Sequence, residues 1–361
     1  MNPFPRISQW QLLTLCFIAA FGDSMATLPR SVGEIAKEDM WLSVIFGGVL
    51  FLFTVWTAIT LASYYPNSTC IEYHQILLGP LLGQILNAVM IVLLLLVPIL
   101  SIRSFVVALK IYLLDVTPTF VIVLSLLTFI TYSAQYGLLP VIRVLQFTFM
   151  SIHSFFFIVV LLGLFSIKAS HFQPFLAQGI MPVLKGAIPS WYSYTGPEFV
   201  VCLLYPFFIQ KNKVLTYGFV SVLVLTAVYT LITGIVQGIL GVAETTRMLV
   251  PTIIAYRGVE IPDTFIERLD GYFFSMWIPV LMVCMLLWVY LAVFGIKQMA
   301  RLEYSRPVVI LVCSLILYFV VAIPNLQTAS TISEWANYAL LAWGMGVLPL
   351  LLALAWWKHR R

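Results

Sequence analysis

Charge is scarce in this sequence. Its 19 Lys and Arg and 14 Asp and Glu make up 9% of 361 residues, where a soluble domain carries roughly 25%. So thin a polar supply cannot clothe a water-facing shell, which excludes a soluble enzyme. The 62% hydrophobic content excludes disorder, which combines low hydrophobicity with high charge. Cysteine is sparse as well. Cys16, Cys70, Cys202, Cys284 and Cys313 show no CxxC spacing, so there is no disulfide framework and no metal site. No Walker, HExxH or nucleophile-elbow pattern occurs, and with them goes any signal for covalent catalysis or a cofactor. The net charge of +5 forms no basic stripe, which excludes nucleic acid as a partner.

What the sequence has in abundance is long apolar runs. Mean hydropathy is +1.03, and runs of about 20 residues, the length that crosses a bilayer core, recur along the whole chain. Closed β-barrels show short alternating segments instead. The fold class is therefore all-α integral membrane, a single polytopic domain over 1–361 in contact with the lipid bilayer. Hydropathy predicts ten transmembrane spans, near 10–29, 41–63, 82–102, 119–138, 144–166, 189–209, 214–241, 271–295, 307–323 and 335–357. The N-terminal run holds Asp23 and Pro29 and no cleavage site, so it reads as a retained span and not a signal peptide. An even number of spans puts both termini on one side. Basic residues crowd the short segments Gln210–Lys213 and Lys358–Arg361, which makes that side cytoplasmic. The longer outer connections, 166–188 and 242–270, are expected to carry short helices on the membrane surface.

Two spans carry residues that a lipid-facing helix avoids. The first places Gly22, Asp23, Ser24, Thr27 and Pro29 at mid-span or just beyond; the sixth carries Gly196-Pro197-Glu198. Gly and Pro both weaken helix, and unwound backbone at membrane depth survives only inside protein or beside a wet cavity. Spans one and six are the corresponding members of an inverted five-plus-five repeat, in which discontinuous helices meet at the midplane and hold ligands and ions. Asp23 and Glu198 are the acids within apolar spans, and both sit at a break. Intramembrane acids mark functional sites. Either Glu198 itself caps the half-helix that follows Pro197, or a ligand carboxylate does. Asp23 has no basic residue at mid-span to pair with. It is expected to face the pocket and meet an amino group of the ligand or a coupled cation. Gln84 and Asn87, three apart on span three, are expected to join helices.

Ordered motifs add a resemblance. Thr27-Leu-Pro-Arg30 with Trp41-Leu-Ser, Arg103 to Lys110 before Thr117-Pro118, Gly196-Pro-Glu198 with Pro206, Pro251-Thr-Ile253, and Phe265–Asp270 before Trp277 follow one another along the chain. In that order they resemble the endospore germination permeases, the B subunits of nutrient germinant receptors (GerAB type). The resemblance implies an amino acid–polyamine–organocation transporter fold in the inner membrane of dormant spores. It implies a membrane A subunit and a lipoprotein C subunit as partners, with a small nutrient, often an amino acid, as ligand. It implies a pocket between the unwound parts of spans one and six and the facing sides of spans three and eight. Carried onto this chain, the binding residues are Gly22, Ser24, Thr27, Gly196 and Glu198, and further Leu94, Pro98, Phe274 and Trp277. Two positions depart from the pattern. Asp23 replaces a small residue, and Ser101 stands where relatives often carry an acid two positions before Arg103. The expected function is nutrient sensing that triggers germination, and the alternative is a secondary permease for an amino acid or polyamine. Neither is an enzyme.

Overall fold

The computed structural model describes residues 6–22, 24–257, 269–303 and 305–360. Asp23 and the Phe265–Arg268 part of the Phe265–Asp270 block lie outside the described residues. Among those residues the regular structure is helical apart from one β-bridge, between Ile7 and Phe208. Lipid cannot hydrogen-bond to backbone, so a spanning chain satisfies its own amides and carbonyls, and helix is the local way to do so.

The helices, in order, are α1 (Gln9–Phe21), α2 (Ser24–Ala36), α3 (Met40–Tyr64), α4 (Cys70–Leu78), α5 (Pro80–Tyr112), α6 (Thr119–Ala134), α7 (Leu138–Leu164) and α8 (Met181–Ser193). They continue with α9 (Pro197–Leu204), α10 (Val214–Arg247), α11 (Pro251–Arg257), α12 (Leu269–Ala300), α13 (Arg306–Ala322), α14 (Leu326–Leu341) and α15 (Leu348–Arg360). A π-helical stretch, Ala342–Val347, joins the last two. By length and composition, five of the described stretches can cross a membrane, and shorter apolar helices accompany them. Helix starts use the expected chemistry. Ser8 and Gln11 form a capping box on α1 and Thr69 and Glu72 another on α4, while Pro80 and Pro197 occupy first turns, where a missing N–H costs nothing.

The two breaks are α1–α2 and α8–α9. The first falls at Gly22 and is narrower than the sequence implies, because Pro29 lies inside α2. Pro29 has no N–H for the carbonyl four residues back, that of Met25. The Thr252 hydroxyl on α11 supplies the missing donor, at 3.0 Å to the Met25 carbonyl and 3.3 Å to that of Ala26. That stitch keeps α2 helical through its proline. It also holds α11 against the bundle: Pro251, Thr252, Ile253, Ala255 and Tyr256 are all buried.

The second break turns at Gly196, with φ +137°. The broken spans run antiparallel, as an inverted repeat requires. The Ile7 N–H donates to the Phe207 carbonyl (2.8 Å) and the Ile209 N–H to that of Ile7 (3.0 Å), so the entry to α1 is tied to the exit from α9. At the crossing the two breaks touch. A Cβ on Gly196 would stand 2.7 Å from the Ala19 Cβ and 2.8 Å from its carbonyl carbon. Elsewhere polar side chains join helices. Asn87 donates to the Ile71 carbonyl at 2.9 Å and its Oδ1 lies 2.7 Å from His74 Nδ1. Gln75 donates to Gln84 at 2.8 Å.

Gly196→Ala combines a left-handed φ with a clash against backbone. A loss of about 1–3 kcal/mol is expected for a strained residue of this kind, and more if Ala19 cannot give way. It should appear as a lower Tm and less folded protein in the membrane. Wild-type stability in this variant would contradict the contact between the breaks.

Candidate functional site

The last carbonyls of a helix have no partner within it, and α1 ends inside the bundle, with Ala19, Ala20 and Gly22 at the edge of a cavity. Side chains from two other helices supply the donors. The Trp288 indole on α12 donates to the Ala19 carbonyl at 2.9 Å, and the Cys284 thiol one turn earlier approaches the same oxygen at 3.6 Å. The Tyr229 hydroxyl on α10 donates to the Ala20 carbonyl at 2.7 Å and lies 3.3 Å from the Ser193 carbonyl at the end of α8. One phenol therefore clasps the C-terminal ends of both half-helices. The Trp277 indole donates to the Gly22 carbonyl at 3.3 Å. Gly22 is the residue that admits α12 here, since a Cβ would lie 2.7 Å from Cys284 Sγ.

The opposite pole of the second break is satisfied locally. Glu198 folds back so that its Oε2 accepts the Gly196 N–H at 2.9 Å, which caps α9 and favours the helix dipole. The side chain is 1% exposed and its Oε1 has no hydrogen-bond partner among the described residues.

Beside the breaks lies a cavity of about 760 Å³. Its walls come from α1 and α2 (Gly22, Ser24 and Thr27), from α5 (Leu93, Val97, Ser101 and Ser104), from α8 and the second break (Tyr192, Ser193 and Thr195), from α12 (Cys284, Met285 and Trp288), and from α14 (Gln327, Ser330, Ser333 and Asn337). Hydroxyls and amides are interspersed with apolar side chains such as Leu96, Leu100 and Leu340. The described charges on the lining are Arg30 and Glu34, an ion pair at 3.0 Å on α2. Both are partly exposed, at 37% and 51%, so the cavity reaches the surface there, on the side away from Ile7. Toward Ile7 it is closed, because every residue of α1 from Leu12 to Phe21 is buried.

The sequence-derived binding residues divide. Gly22, Ser24 and Thr27 line the cavity. Leu94, Pro98, Gly196, Glu198, Phe274 and Trp277 are buried around it without being among its lining residues. Leu94 and Pro98 sit next to the lining residues Leu93 and Val97 on another face of α5, and Phe274 and Trp277 pack at the first break with their rings 6.0 Å apart. Asp23 lies outside the described residues. Sequence reasoning passed over Ser104, Tyr192, Trp288 and the whole α14 wall. In α14 the signal was a polar run, Gln327 to Asn337, ahead of an apolar one.

The family profile described as "Spore germination protein" matches residues 6–329. Spore germination protein YndE of Bacillus subtilis (strain 168) is 26% identical over 99% of each chain. Spore germination protein A2 of the same organism is 25% identical over 96% of this chain and 94% of its own. Spore germination protein KB is 24% identical over 97% and 91%. Among solved structures, Mhp1, a nucleobase-cation-symport-1 family transporter in a closed conformation with bromovinylhydantoin bound, superposes with a TM-score of 0.64. It shares 13% identity and covers 98% of this chain and 80% of its own. At that identity the likeness is one of fold, and the fold is a transporter's.

Tyr229→Phe removes the clasp and leaves the buried Ala20 carbonyl short of a donor. A buried unsatisfied polar group costs about 1–3 kcal/mol. Thermal unfolding of the purified protein should register that loss. An unchanged Tm would show that the hydroxyl does not hold the breaks.

Proposed function

Since the chain belongs to the spore germination protein family, we propose that it is the B subunit of a nutrient germinant receptor. In this reading the cavity at the helix breaks binds a small nutrient, an amino acid, and ligand binding triggers germination. The observation that carries it is the cavity itself. It lies where two broken helices meet, it opens to one side, and its walls are rich in hydroxyls and amides. Pockets that fix small ligands combine concavity with a few convergent polar groups.

Gly22, Ser24 and Thr27, with Ser101 and Ser104 opposite, would hold the polar end of the nutrient. Asp23 is assigned to its amino group, because an ionised carboxylate at membrane depth needs a cationic partner. Glu198, already committed to the Gly196 N–H, acts with Gly196, Leu94, Pro98, Phe274 and Trp277 by shaping the pocket from behind. The proposed setting is the spore inner membrane with both termini on the core side. The A subunit and the lipoprotein C subunit are the partners that read the change. Ligand would shift the bundle between two arrangements by its differential affinity for them.

The test uses the thiol of Cys284, which lines the cavity. A panel of L-amino acids, with sugars and nucleosides beside it, is screened for a rise in Tm and for slower labelling of Cys284 by a small thiol reagent. At least one amino acid should do both. Ser101→Trp, which fills the cavity, should weaken that effect by at least about tenfold, the equivalent of roughly 1.4 kcal/mol, at normal protein levels. No protection by any nutrient, or full protection in Ser101→Trp, would defeat the reading. Asp23→Ala and Asp23→Asn should both lose amine-bearing nutrients selectively; equal sensitivity to all nutrients in well-assembled Asp23→Ala protein would remove Asp23 from the site. Uptake of the bound nutrient into proteoliposomes would favour the secondary permease instead.

A further inference from the structure

We propose that Trp288, Tyr229 and Trp277 take the place of a coupling cation at the first helix break, so that the broken span is held in its binding-ready form without any bound ion. The inference builds on the nutrient-site reading above.

The C-terminal end of α1 carries partial negative charge, equivalent to roughly half an elementary charge. In transporters with broken helices, unwound carbonyls at such an end coordinate the coupled cation. The structural neighbour belongs, by its name, to a cation-symport family. Here the corresponding carbonyls are engaged by neutral donors built into the protein. Ala19 receives the Trp288 indole at 2.9 Å, Ala20 the Tyr229 phenol at 2.7 Å, and Gly22 the Trp277 indole at 3.3 Å. All three rings are at most 1% exposed, so they are fixed by packing and not free to turn aside.

The chemistry of these groups opposes a cation. An indole nitrogen is a donor only and presents its positive hydrogen to the space a cation would occupy. Hard cations require oxygen ligands. The α12 residues that line the cavity, Cys284, Met285 and Trp288, offer sulfur and indole there. Cys284 points its thiol at the same Ala19 carbonyl, which adds a fourth donor. The Ala19, Ala20 and Gly22 carbonyls at the edge of the cavity are thus taken up by the protein's own donors, and the hydroxyls of Ser24, Thr27, Ser101 and Ser104 are left for the nutrient.

The experiment uses the purified full-length chain without nutrient, in choline chloride, with NaCl or KCl substituted at constant ionic strength. Tm is measured, together with the rate at which Cys284 is labelled by a small thiol reagent, read at that peptide by mass spectrometry. A ligand that binds only the native state raises Tm with its concentration. The expected result is the same Tm and the same labelling rate in all three salts. A saturable rise in Tm, or saturable protection of Cys284, with Na⁺ or K⁺ would overturn the proposal. Trp288→Phe exposes the Ala19 carbonyl and should acquire the saturable response that the wild type lacks. A folded Trp288→Phe protein indifferent to all three salts would overturn the role given to Trp288, and if it does not fold the wild-type titration decides. Because no nutrient is present, a cation response leaves the nutrient reading standing.

Discussion

A helix that stops at the middle of a membrane leaves carbonyls that lipid cannot satisfy, and the architecture of this protein follows from how those carbonyls are met. Each unsatisfied group in hydrocarbon costs several kcal/mol. Donors must therefore be brought to Ala19, Ala20 and Gly22 from elsewhere, and they come from α10 and α12 as Tyr229, Trp288 and Trp277. Large aromatic donors do two things at once. They satisfy the oxygen and fill the volume that the broken helix vacates, which is why the region around the break is dense on the Ile7 side. The walls further out mix aliphatic side chains with the hydroxyls of Ser101, Ser104, Ser330 and Ser333 on α5 and α14, and there the space remains open.

The two breaks are satisfied by different means. At the second, the half-helix start is capped by its own Glu198, so the solution lies within three residues of sequence. At the first, the half-helix end depends on residues more than 200 positions away. Tyr229 joins the two, since its hydroxyl reaches a carbonyl of each broken span. The second break packs on Ala19, and the first is tied through its donors to α10 and α12.

This difference also explains what the sequence discloses. Gly22 and Gly196-Pro197-Glu198 stand out because glycine, proline and acids are costly in apolar runs, so the transporter fold and both breaks could be read from composition. The donors could not, because Trp277, Trp288 and Tyr229 look like packing aromatics until a carbonyl is found opposite them. Pro29 misleads for the same reason: the Thr252 hydroxyl that preserves its helix is remote in sequence. The α14 wall is hidden by the method itself. Hydropathy locates lipid-facing helix and opens the last span at 335, while α14 begins at Leu326 with a polar stretch whose Gln327, Ser330 and Ser333 face the cavity. A helix that serves a wet cavity is by that fact too polar to register as a span.

The tie between Ile7 and Phe207–Ile209 gives these features a mechanical consequence. Two backbone hydrogen bonds fasten the entry of one broken span to the exit of the other, and the spans touch again at Ala19 and Gly196. Joined at two points, they form one lever with its fulcrum at the breaks. The cavity lies on one arm, beside α2 and α8, and the Ile7 side lies on the other. Under the proposed reading, a nutrient that favours one angle between the half-helices acts on the far face without reaching it, because the buried row from Leu12 to Phe21 transmits the tilt as a packed solid. A transporter uses such a lever to open a path. A sensor needs only the movement of the far arm, and for that the closed, ion-free floor under the cavity is an advantage, since nothing has to pass through it.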